Sequence, residues 1–103
     1  MADPFTVVAE PTRRRILAEL RGSDCSVGEL VERLGLPQPT VSKHLKVLRD
    51  NRFVLSRGDA QRRIYRLDGR AFAELETWLT PYRQYWEQQL DRLQVHLDED
   101  EES

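Results

Sequence analysis

The sequence contains few of the residues that build disulfides, metal centres or membrane spans. Cys25 is the one cysteine among 103 residues, so an intrachain disulfide is excluded, and a single thiol cannot form a tetrahedral zinc site. No apolar run approaches the ~18 residues that a membrane-spanning helix needs, and the N-terminal residues lack the basic-then-apolar pattern of a signal peptide. We therefore expect a cytoplasmic protein without a membrane partner.

The residue groupings of an active site are also missing. The sequence has two histidines, His44 and His96, and it has no glycine-rich phosphate loop. No serine, threonine or cysteine stands beside a plausible general base. We predict that the protein is not an enzyme and that it needs no cofactor.

Excess positive charge is absent from the chain as a whole, which carries a formal charge of −2, but cations cluster in one segment. Residues 37–66 hold eight Lys and Arg against two Asp, a local charge of +6, so the rest of the chain carries −8. Because polyanions bind where cations cluster, whatever the total charge of the chain, nucleic acid is a candidate partner. Five acids follow one another at residues 98–102. We predict that residues 98–103 are a disordered tail, with screening of the basic segment as the alternative.

Capping signals divide the first half of the chain into four short helices. Asp3-Pro4 and Pro11 predict the starts of the first two helices, because proline is tolerated in a first helical turn. The capping box Ser26–Glu29 starts a third helix, and Gly35–Pro37 ends it before a fourth helix begins. Two short helices joined by a tight glycine-containing turn are a helix-turn-helix pattern.

The second half predicts a β-hairpin and one long amphipathic helix. Alternating β-branched and aromatic residues on both sides of Gly58-Asp59-Ala60 indicate a two-stranded hairpin with a polar tip. Apolar residues then recur at spacings of three and four from Phe72 to Leu97, as in a heptad seam. Pro81 interrupts this seam, so we expect a kink or a fresh helix start with Thr80 as its cap. The predicted fold is mainly α with a hairpin wing, in the order α-α-α-α-β-β-α, as one domain over residues 1–97.

A helix-turn-helix followed at once by a basic hairpin is a winged helix, and the sequence resembles the ArsR/SmtB family of transcriptional regulators. The resemblance rests on DPFTVVAEPTRRRILAEL, VGELVERLGLPQPTVSKHLKVLRDNRFV and RRIYRLD, and it covers roughly residues 3–97. The segment WLTPYRQYWEQQLDRL is most similar to a subgroup that does not sense metals. The resemblance implies a winged helix-turn-helix regulator that binds double-stranded DNA.

The polar side of the fourth helix is predicted to read that DNA. Val41, Leu45 and Leu48 form its apolar stripe, while its other side carries hydrogen-bond donors and cations. A helix fits the major groove of B-DNA, where base edges are read by side-chain donors and acceptors. The predicted base contacts are Gln38, Thr40, Ser42 and Lys43, and the predicted phosphate contacts are Lys46 and Arg49.

One histidine on this helix leaves two alternatives open, and two prolines at its start reduce its main-chain donors. His44 borders the apolar stripe, so it is either a half-buried histidine satisfied within the fold or a donor to DNA phosphate. Histidine is usual here in the family, and His44 is therefore included among the DNA contacts. Pro37 replaces a frequent serine cap and Pro39 lacks an N–H, which leaves fewer main-chain donors for phosphate.

Arginines flank the predicted hairpin tip and begin the second helix. We expect Arg57, Arg62 and Arg63 to contact the minor groove or the DNA backbone, with a solvated hairpin edge as the alternative. The cations of Arg13–Arg15 oppose the dipole at the helix start, and we expect an acid of a partner subunit to offset them.

Metal ligands known from the family are incomplete in this sequence. Metal-sensing relatives use cysteine thiolates in the helix before the DNA-reading fourth helix. In this chain that segment is SVGELVERL, which contains no cysteine. A second type of family site, on the last helix, consists of an Asp-x-His pair followed by a His-x-x-Glu pair. The second pair matches His96 and Glu99, but the first pair falls on Arg83 and Tyr85, which are not the required ligands. We predict no metal site.

We predict a homodimer through the first and last helices, because the seam from Phe72 to Leu97 is too long for one small core to cover. The predicted interface residues are Phe5, Leu79, Tyr82, Trp86, Leu90 and Leu93. The functional hypothesis is a homodimeric repressor on a palindromic operator, responding to a small-molecule or protein effector. The rival is a winged-helix interaction module whose basic face binds an acidic protein, and a redox switch at Cys25 is a third hypothesis.

Overall fold

Five helices and three short strands make up the fold in a computed structural model that describes residues 2–102, with side chains described for residues 2–100. The elements are α1 (Pro4–Ala9), α2 (Pro11–Gly22), β1 (Cys25–Ser26), α3 (Val27–Leu34), α4 (Gln38–Asp50), β2 (Val54–Asp59), β3 (Arg62–Leu67) and α5 (Gly69–Glu102). The predicted winged helix-turn-helix fold is confirmed. The two-residue strand β1 is an addition to the predicted order.

The predicted helix boundaries rest on caps that the structure contains. The Asp3 carboxylate caps α1. At the start of α3, the Ser26 hydroxyl accepts from the Glu29 N–H at 3.2 Å, and the Glu29 carboxylate accepts from the Ser26 N–H at 3.0 Å. Gly35 ends α3 in the left-handed conformation, with φ +65°, and its N–H donates to the Val31 carbonyl. The capping box and the glycine stop are therefore confirmed.

The three strands form an antiparallel sheet in the order β1-β3-β2. The β2–β3 pairing extends to Asp59 opposite Arg62, so the turn is Ala60-Gln61 and shorter than the predicted Gly58-Asp59-Ala60 tip. Ala60 takes a positive φ of 57°, as tight hairpins require. Because Gly58 stays inside the ladder, its conformational freedom is not what makes this turn.

The core lies between the helices and the base of the sheet. The predicted inward stripe of α4, formed by Val41, Leu45 and Leu48, is wholly buried. Leu30 and Leu34 of α3 are buried against the same core. This packing fixes the angle between α3 and α4 and leaves the other side of α4 in solvent.

The arginines at the start of α2 contact helix ends of their own chain. Arg14 donates to the carbonyl of Ala9 at 3.0 Å, at the end of α1, and Arg15 donates to the carbonyl of Leu34 at 3.2 Å, at the end of α3. These carbonyls carry the negative ends of two helix dipoles. The charges of Arg14 and Arg15 are thus offset within the chain, and the expected contact of Arg13–Arg15 with an acid of a partner subunit stays a prediction.

Of the two outcomes expected at Pro81, a kink or a fresh helix start, the fresh start is wrong, because α5 runs through this residue without interruption. The Thr80 hydroxyl caps nothing, because it donates back to the Glu76 carbonyl at 2.7 Å. Thr77 makes the same kind of bond to Ala73 at 3.0 Å. Proline removes one backbone bond of a 34-residue helix, and the neighbouring turns keep the helix continuous.

The same helix includes residues 98–102, which the sequence predicted to be a disordered end. The Gln94 amide donates to the Asp98 carboxylate at 3.0 Å, an i,i+4 bond that supports the helix there. Ser103, the last residue of the predicted tail, lies outside the described residues.

Only the first turns of α5 pack on the core. Ala71 is buried and Phe72 is half-buried, with its ring edge-on to Phe53 at 5.2 Å. From residue 76 to residue 100 the side chains are exposed except for the half-buried Gln89. Within residues 2–102, every helix is too short or too polar to span a lipid bilayer.

Candidate nucleic-acid interface

The recognition helix α4 starts without a side-chain cap. Pro37 occupies the cap position, and its carbonyl accepts from the N–H groups of Thr40 and Val41 at 3.1 and 3.2 Å. Pro39 has no N–H to offer. Because these groups are used or missing, the helix start offers little main-chain donation to a phosphate, and contacts to DNA fall to side chains.

The exposed side of α4 presents the predicted donors in one strip. Gln38, Ser42 and Lys43 are exposed, and Thr40 is half-buried. Gln38 and Ser42 lie one turn apart, and Lys43 follows directly. The structure therefore brings together, at the leading end of α4, the side chains expected to read bases.

Lys46 lies one turn further along and already has an acidic neighbour. Its ammonium lies 2.9 Å from the Asp50 carboxylate, and this hydrogen bond lowers the pKa of Asp50. The Lys46 and Asp50 side chains are 70% and 50% exposed. A solvated i,i+4 pair of this kind is weak, so a DNA phosphate can take the place of Asp50. Sequence reasoning missed this pair, although the four-residue spacing signals it.

The side chain of His44 is 15% exposed and faces α2. Its Nδ1 accepts from Arg13 Nε at 3.4 Å and lies 3.9 Å from the Glu10 carboxylate. This arrangement favours the half-buried alternative, in which His44 ties α4 to the start of α2. A contact between His44 and DNA stays a prediction.

Strand alternation separates the wing arginines that sequence reasoning grouped together. Asp59 pairs with Arg62, and Arg57 pairs with Ile64, so Arg57 and Arg62 share one face of the hairpin. Arg63 points to the opposite face, where it donates to the Ser56 hydroxyl at 3.0 Å.

Two of these arginines also pair with acids. Arg57 lies 3.1 Å from Asp24, in the segment after α2, and Arg62 lies 3.5 Å from Asp59 at the end of β2. Both pairs are more than 40% exposed on either side and therefore worth little energetically. Arg57 and Arg62 are thus held by exposed contacts that a phosphate can replace. The Arg57–Asp24 contact has no signal in the sequence, because the two residues are 33 positions apart.

The far part of α5 presents an apolar face that, among the described residues, only Phe5 of α1 contacts. All the predicted interface residues lie on it or beside it, and all are exposed: Phe5 38%, Leu79 40%, Tyr82 53%, Trp86 63%, Leu90 59% and Leu93 54%. Phe5 joins α1 to this face through Trp78, whose ring centroid lies 4.9 Å away. Trp78, which stacks on Tyr82 at 4.6 Å, was missed because it lies one position off the three-four spacing.

Possible ligands for a metal are scattered. In the part of the chain that the structure describes, no three His, Cys, Asp or Glu side chains come together as a metal site. Cys25 is fully buried, and its sulfur accepts from Arg33 at 3.2 Å and donates to the Ser23 carbonyl at 3.4 Å. Oxidants in solvent do not reach this thiol in the folded chain, so the redox hypothesis gains no support from its surroundings.

Comparison with known proteins gives consistent matches. The profile of the family described as bacterial regulatory protein, arsR family, matches residues 10–56. The HTH-type transcriptional regulator Rv2034 of Mycobacterium tuberculosis is 41% identical over 73 residues, which cover 71% of this chain and 68% of that protein. The transcriptional repressor SdpR of Bacillus subtilis is 28% identical over 79 residues, or 77% and 88% of the two chains.

A solved structure gives the same match in three dimensions. The crystal structure described as a possible transcriptional regulator for arsenical resistance superposes with a TM-score of 0.72 at 34% identity. The superposition covers 90% of this chain and 94% of that one.

Proposed function

Since the chain belongs to the ArsR family of bacterial regulatory proteins, we propose that it represses transcription as a homodimer bound to a palindromic operator. It is a DNA-binding transcriptional regulator and not an enzyme. The operator, the dimer and the residues that contact DNA are the proposed parts. A regulator of this kind acts in the cytoplasm, on the chromosome.

The observation that carries the proposal is the division of α4 into a buried stripe and an exposed strip of donors. Val41, Leu45 and Leu48 anchor the helix to the core, so its other side is held outward at a fixed angle. The exposed strip fits the major groove, whose base edges present acceptors and donors. The proposed base contacts are Gln38, Thr40, Ser42 and Lys43, and the proposed phosphate contacts on this helix are Lys46, Arg49 and His44.

The hairpin wing is also suited to bind DNA beside α4. A hairpin that enters the minor groove on edge has a phosphate backbone on each side. Arg57 and Arg62 lie on one face of the hairpin and Arg63 lies on the other, so each face carries arginine for one of the two backbones. The wing thereby extends each half-site beyond the bases that α4 reads.

The exposed face of α5 supports the homodimer. An apolar face of this length, left uncovered, marks a surface for association. Two copies joined there would present two α4 helices to one side of the DNA. Recognition helices of such dimers read half-sites about 34 Å apart, one turn of B-DNA. An effector that changes the pairing of α5 would change that separation.

Selection of bound genomic fragments, followed by competition with random DNA, tests the proposal. We expect a palindromic site bound at least about 10³-fold more tightly than random sequence at physiological salt. The rival function, an interaction module for an acidic protein, predicts equal and salt-sensitive binding to every DNA. Equal affinity for selected and random fragments would overturn the proposal in favour of this rival.

A further inference from the structure

The two ring nitrogens of His44 have different surroundings. Nδ1 faces the start of α2, where the Nε–H of Arg13 donates to it at 3.4 Å. A guanidinium offers N–H donors and no acceptor, so Nδ1 accepts this bond and carries no proton of its own. In a neutral imidazole the one proton then stands on Nε2.

Glu10 is the acidic group that competes for Nδ1, and its position argues against a proton there. Its Oε2 lies 3.9 Å from Nδ1, beyond hydrogen-bond distance. The same oxygen accepts from the main-chain N–H of Arg13 at 2.9 Å, as the cap of α2. Partial burial acts to raise the pKa of Glu10, but hydrogen bonds from the N–H groups of Arg13 and Thr12 hold that pKa below its ordinary value. The carboxylate is therefore ionised and occupied at the helix start.

The Arg13 side chain is held in place by α1. Its Nη1 donates to the Val7 carbonyl at 3.2 Å, and Val7 is buried in the core. Because a guanidinium is planar and rigid, a bond at Nη1 also fixes the direction of the Nε–H. The orientation of the His44 ring thus depends on how α1 packs against the start of α2.

The Nε2 edge of His44 reaches solvent. The side chain is 15% exposed. Among the described residues Nε2 has no hydrogen-bond partner, yet no buried side-chain nitrogen or oxygen there is left without one. The exposed part of the ring therefore includes Nε2. It lies on the edge of α4 that also carries Thr40, one turn earlier.

We propose that Arg13 is a positioning residue for DNA binding, which holds His44 in the tautomer that presents its Nε2–H to a DNA phosphate. The proposal rests on the phosphate contact proposed above for His44, and it adds the residue that makes this histidine a donor. Both alternatives for His44 then hold at once, since Nδ1 is satisfied within the fold and Nε2 donates outward. Without Arg13 the proton can move to Nδ1, and Nε2 becomes an acceptor to which phosphate oxygens do not bind.

A neutral donor differs from lysine or arginine in its response to salt. Counterion release follows the charge that a protein brings to the phosphates, and a neutral imidazole brings none. At pH 8, above the range in which imidazole ordinarily titrates, His44→Phe should weaken operator and random DNA alike, by about tenfold per half-site. The slope of log affinity against log salt should stay unchanged, in contrast to the slope for Lys46→Ala.

A double-mutant cycle on DNA binding tests whether Arg13 acts through His44. Arg13→Met keeps the apolar stem and removes the donor, and it should weaken operator binding about fivefold per half-site. In the His44→Phe background the same change should alter affinity by less than about twofold. The matched control is Arg14→Met, which removes the same charge from the next residue, where the guanidinium bonds the Ala9 carbonyl. This control should also stay within about twofold of the parent.

Nitrogen-15 NMR of the full chain without DNA tests the tautomer directly. Correlations between the ring nitrogens and the carbon-bound ring protons distinguish the Nε2–H form from the Nδ1–H form. His96, which is exposed on α5, gives a solvated reference in the same spectrum. At pH 8 we expect His44 of the parent wholly in the Nε2–H form, and we expect Arg13→Met to bring its nitrogen shifts to those of His96. A parent with His44 in the Nδ1–H form, or with the shifts of His96, would overturn the proposal.

The binding measurements separate failure of this inference from failure of the proposed function. A parent that prefers no operator over random DNA would overturn the proposed function and the phosphate contact with it. A parent that prefers its operator, with equal losses from Arg13→Met in both backgrounds, would overturn the role of Arg13 alone.

Discussion

Lys43 and Lys46 lie less than one turn apart on the exposed side of α4, and replacing each with alanine separates base reading from phosphate binding. Lys43 is exposed on the leading half of the helix, whereas Lys46 lies 2.9 Å from Asp50. A base contact discriminates among sequences, and a phosphate contact does not. The two variants should therefore lose affinity in different ways.

Lys43→Ala should cost about 1–3 kcal/mol per half-site on the operator, the usual value of a good side-chain contact to a base edge. Its affinity for random DNA should fall much less, so the ratio of specific to non-specific binding should drop by roughly 5- to 150-fold per half-site. Base preference should blur at one position in each half-site.

Lys46→Ala should weaken operator and random DNA by the same factor. The slope of log affinity against log salt should flatten by about 0.9 per subunit, the value of one lost phosphate contact. Asp50→Asn removes the competing carboxylate and should raise both affinities, which makes it the matched control for the Lys46–Asp50 pair.

Fluorescence titrations of operator and random duplexes over a salt series measure all these quantities. The reasoning about Lys43 fails if Lys43→Ala lowers both affinities equally and leaves the base preference unchanged. In that case α4 docks on the backbone, and the exposed strip of α4 does not read the sequence.

Four further predictions concern the wing, the dimer, the base of α5 and metals. Arg62→Ala and Arg63→Ala should each reduce operator and random binding together, in titrations like those above, and unequal effects would show that one face of the hairpin points away from DNA. Trp86→Glu should yield monomers with weak operator affinity, since a buried unpaired charge costs several kcal/mol, while Val95→Glu on the far side of α5 should stay dimeric in sedimentation. Asp68→Ala should lower the free energy of unfolding by about 1–2 kcal/mol near pH 7, because Asp68 caps α5. The Arg70 guanidinium holds the pKa of Asp68 low, so this stabilisation should disappear as the pH falls through that lowered pKa in urea titrations from pH 7 to pH 3. One equivalent of zinc, nickel or cadmium should change operator affinity by less than about threefold, and metal inhibition that His96→Ala relieves would contradict this.

The parts of the fold that local chemistry decides could be predicted from the sequence. Ser26 and Glu29 complete a cap within four residues, and Gly35 stops α3 through its own backbone conformation. The stripe of α4 has the helical period, so its burial followed from spacing alone. These signals were enough to place the helix-turn-helix and therefore the strip of candidate base contacts.

The contacts between distant segments could not be predicted in this way. Strand β1 is two residues long and exists only because Cys25 and Ser26 pair with β3, some 40 positions later. The offset of the Arg14 and Arg15 charges likewise depends on carbonyls at the ends of α1 and α3, whose positions are set by packing. Contacts between distant segments follow no regular spacing in the sequence, so no sequence pattern indicates them.

The start of α5 is bonded directly to the segment that ends the recognition helix. The N–H of Asp68 donates to the Phe53 carbonyl at 2.9 Å, and the N–H of Ala71 donates to the Arg52 carbonyl at 3.2 Å. The rings of Phe53 and Phe72 add an edge-to-face contact in the core. Arg52 itself follows α4 in the left-handed conformation, with φ +66°, so the backbone there has little freedom to absorb a displacement. In the proposed homodimer, a shift of the paired α5 helices would therefore reach the end of α4 through a few short contacts, without passing through the wing. This connection is the physical reason to look for an effector on the proposed α5 interface, because small movements there would change the angle at which α4 meets DNA.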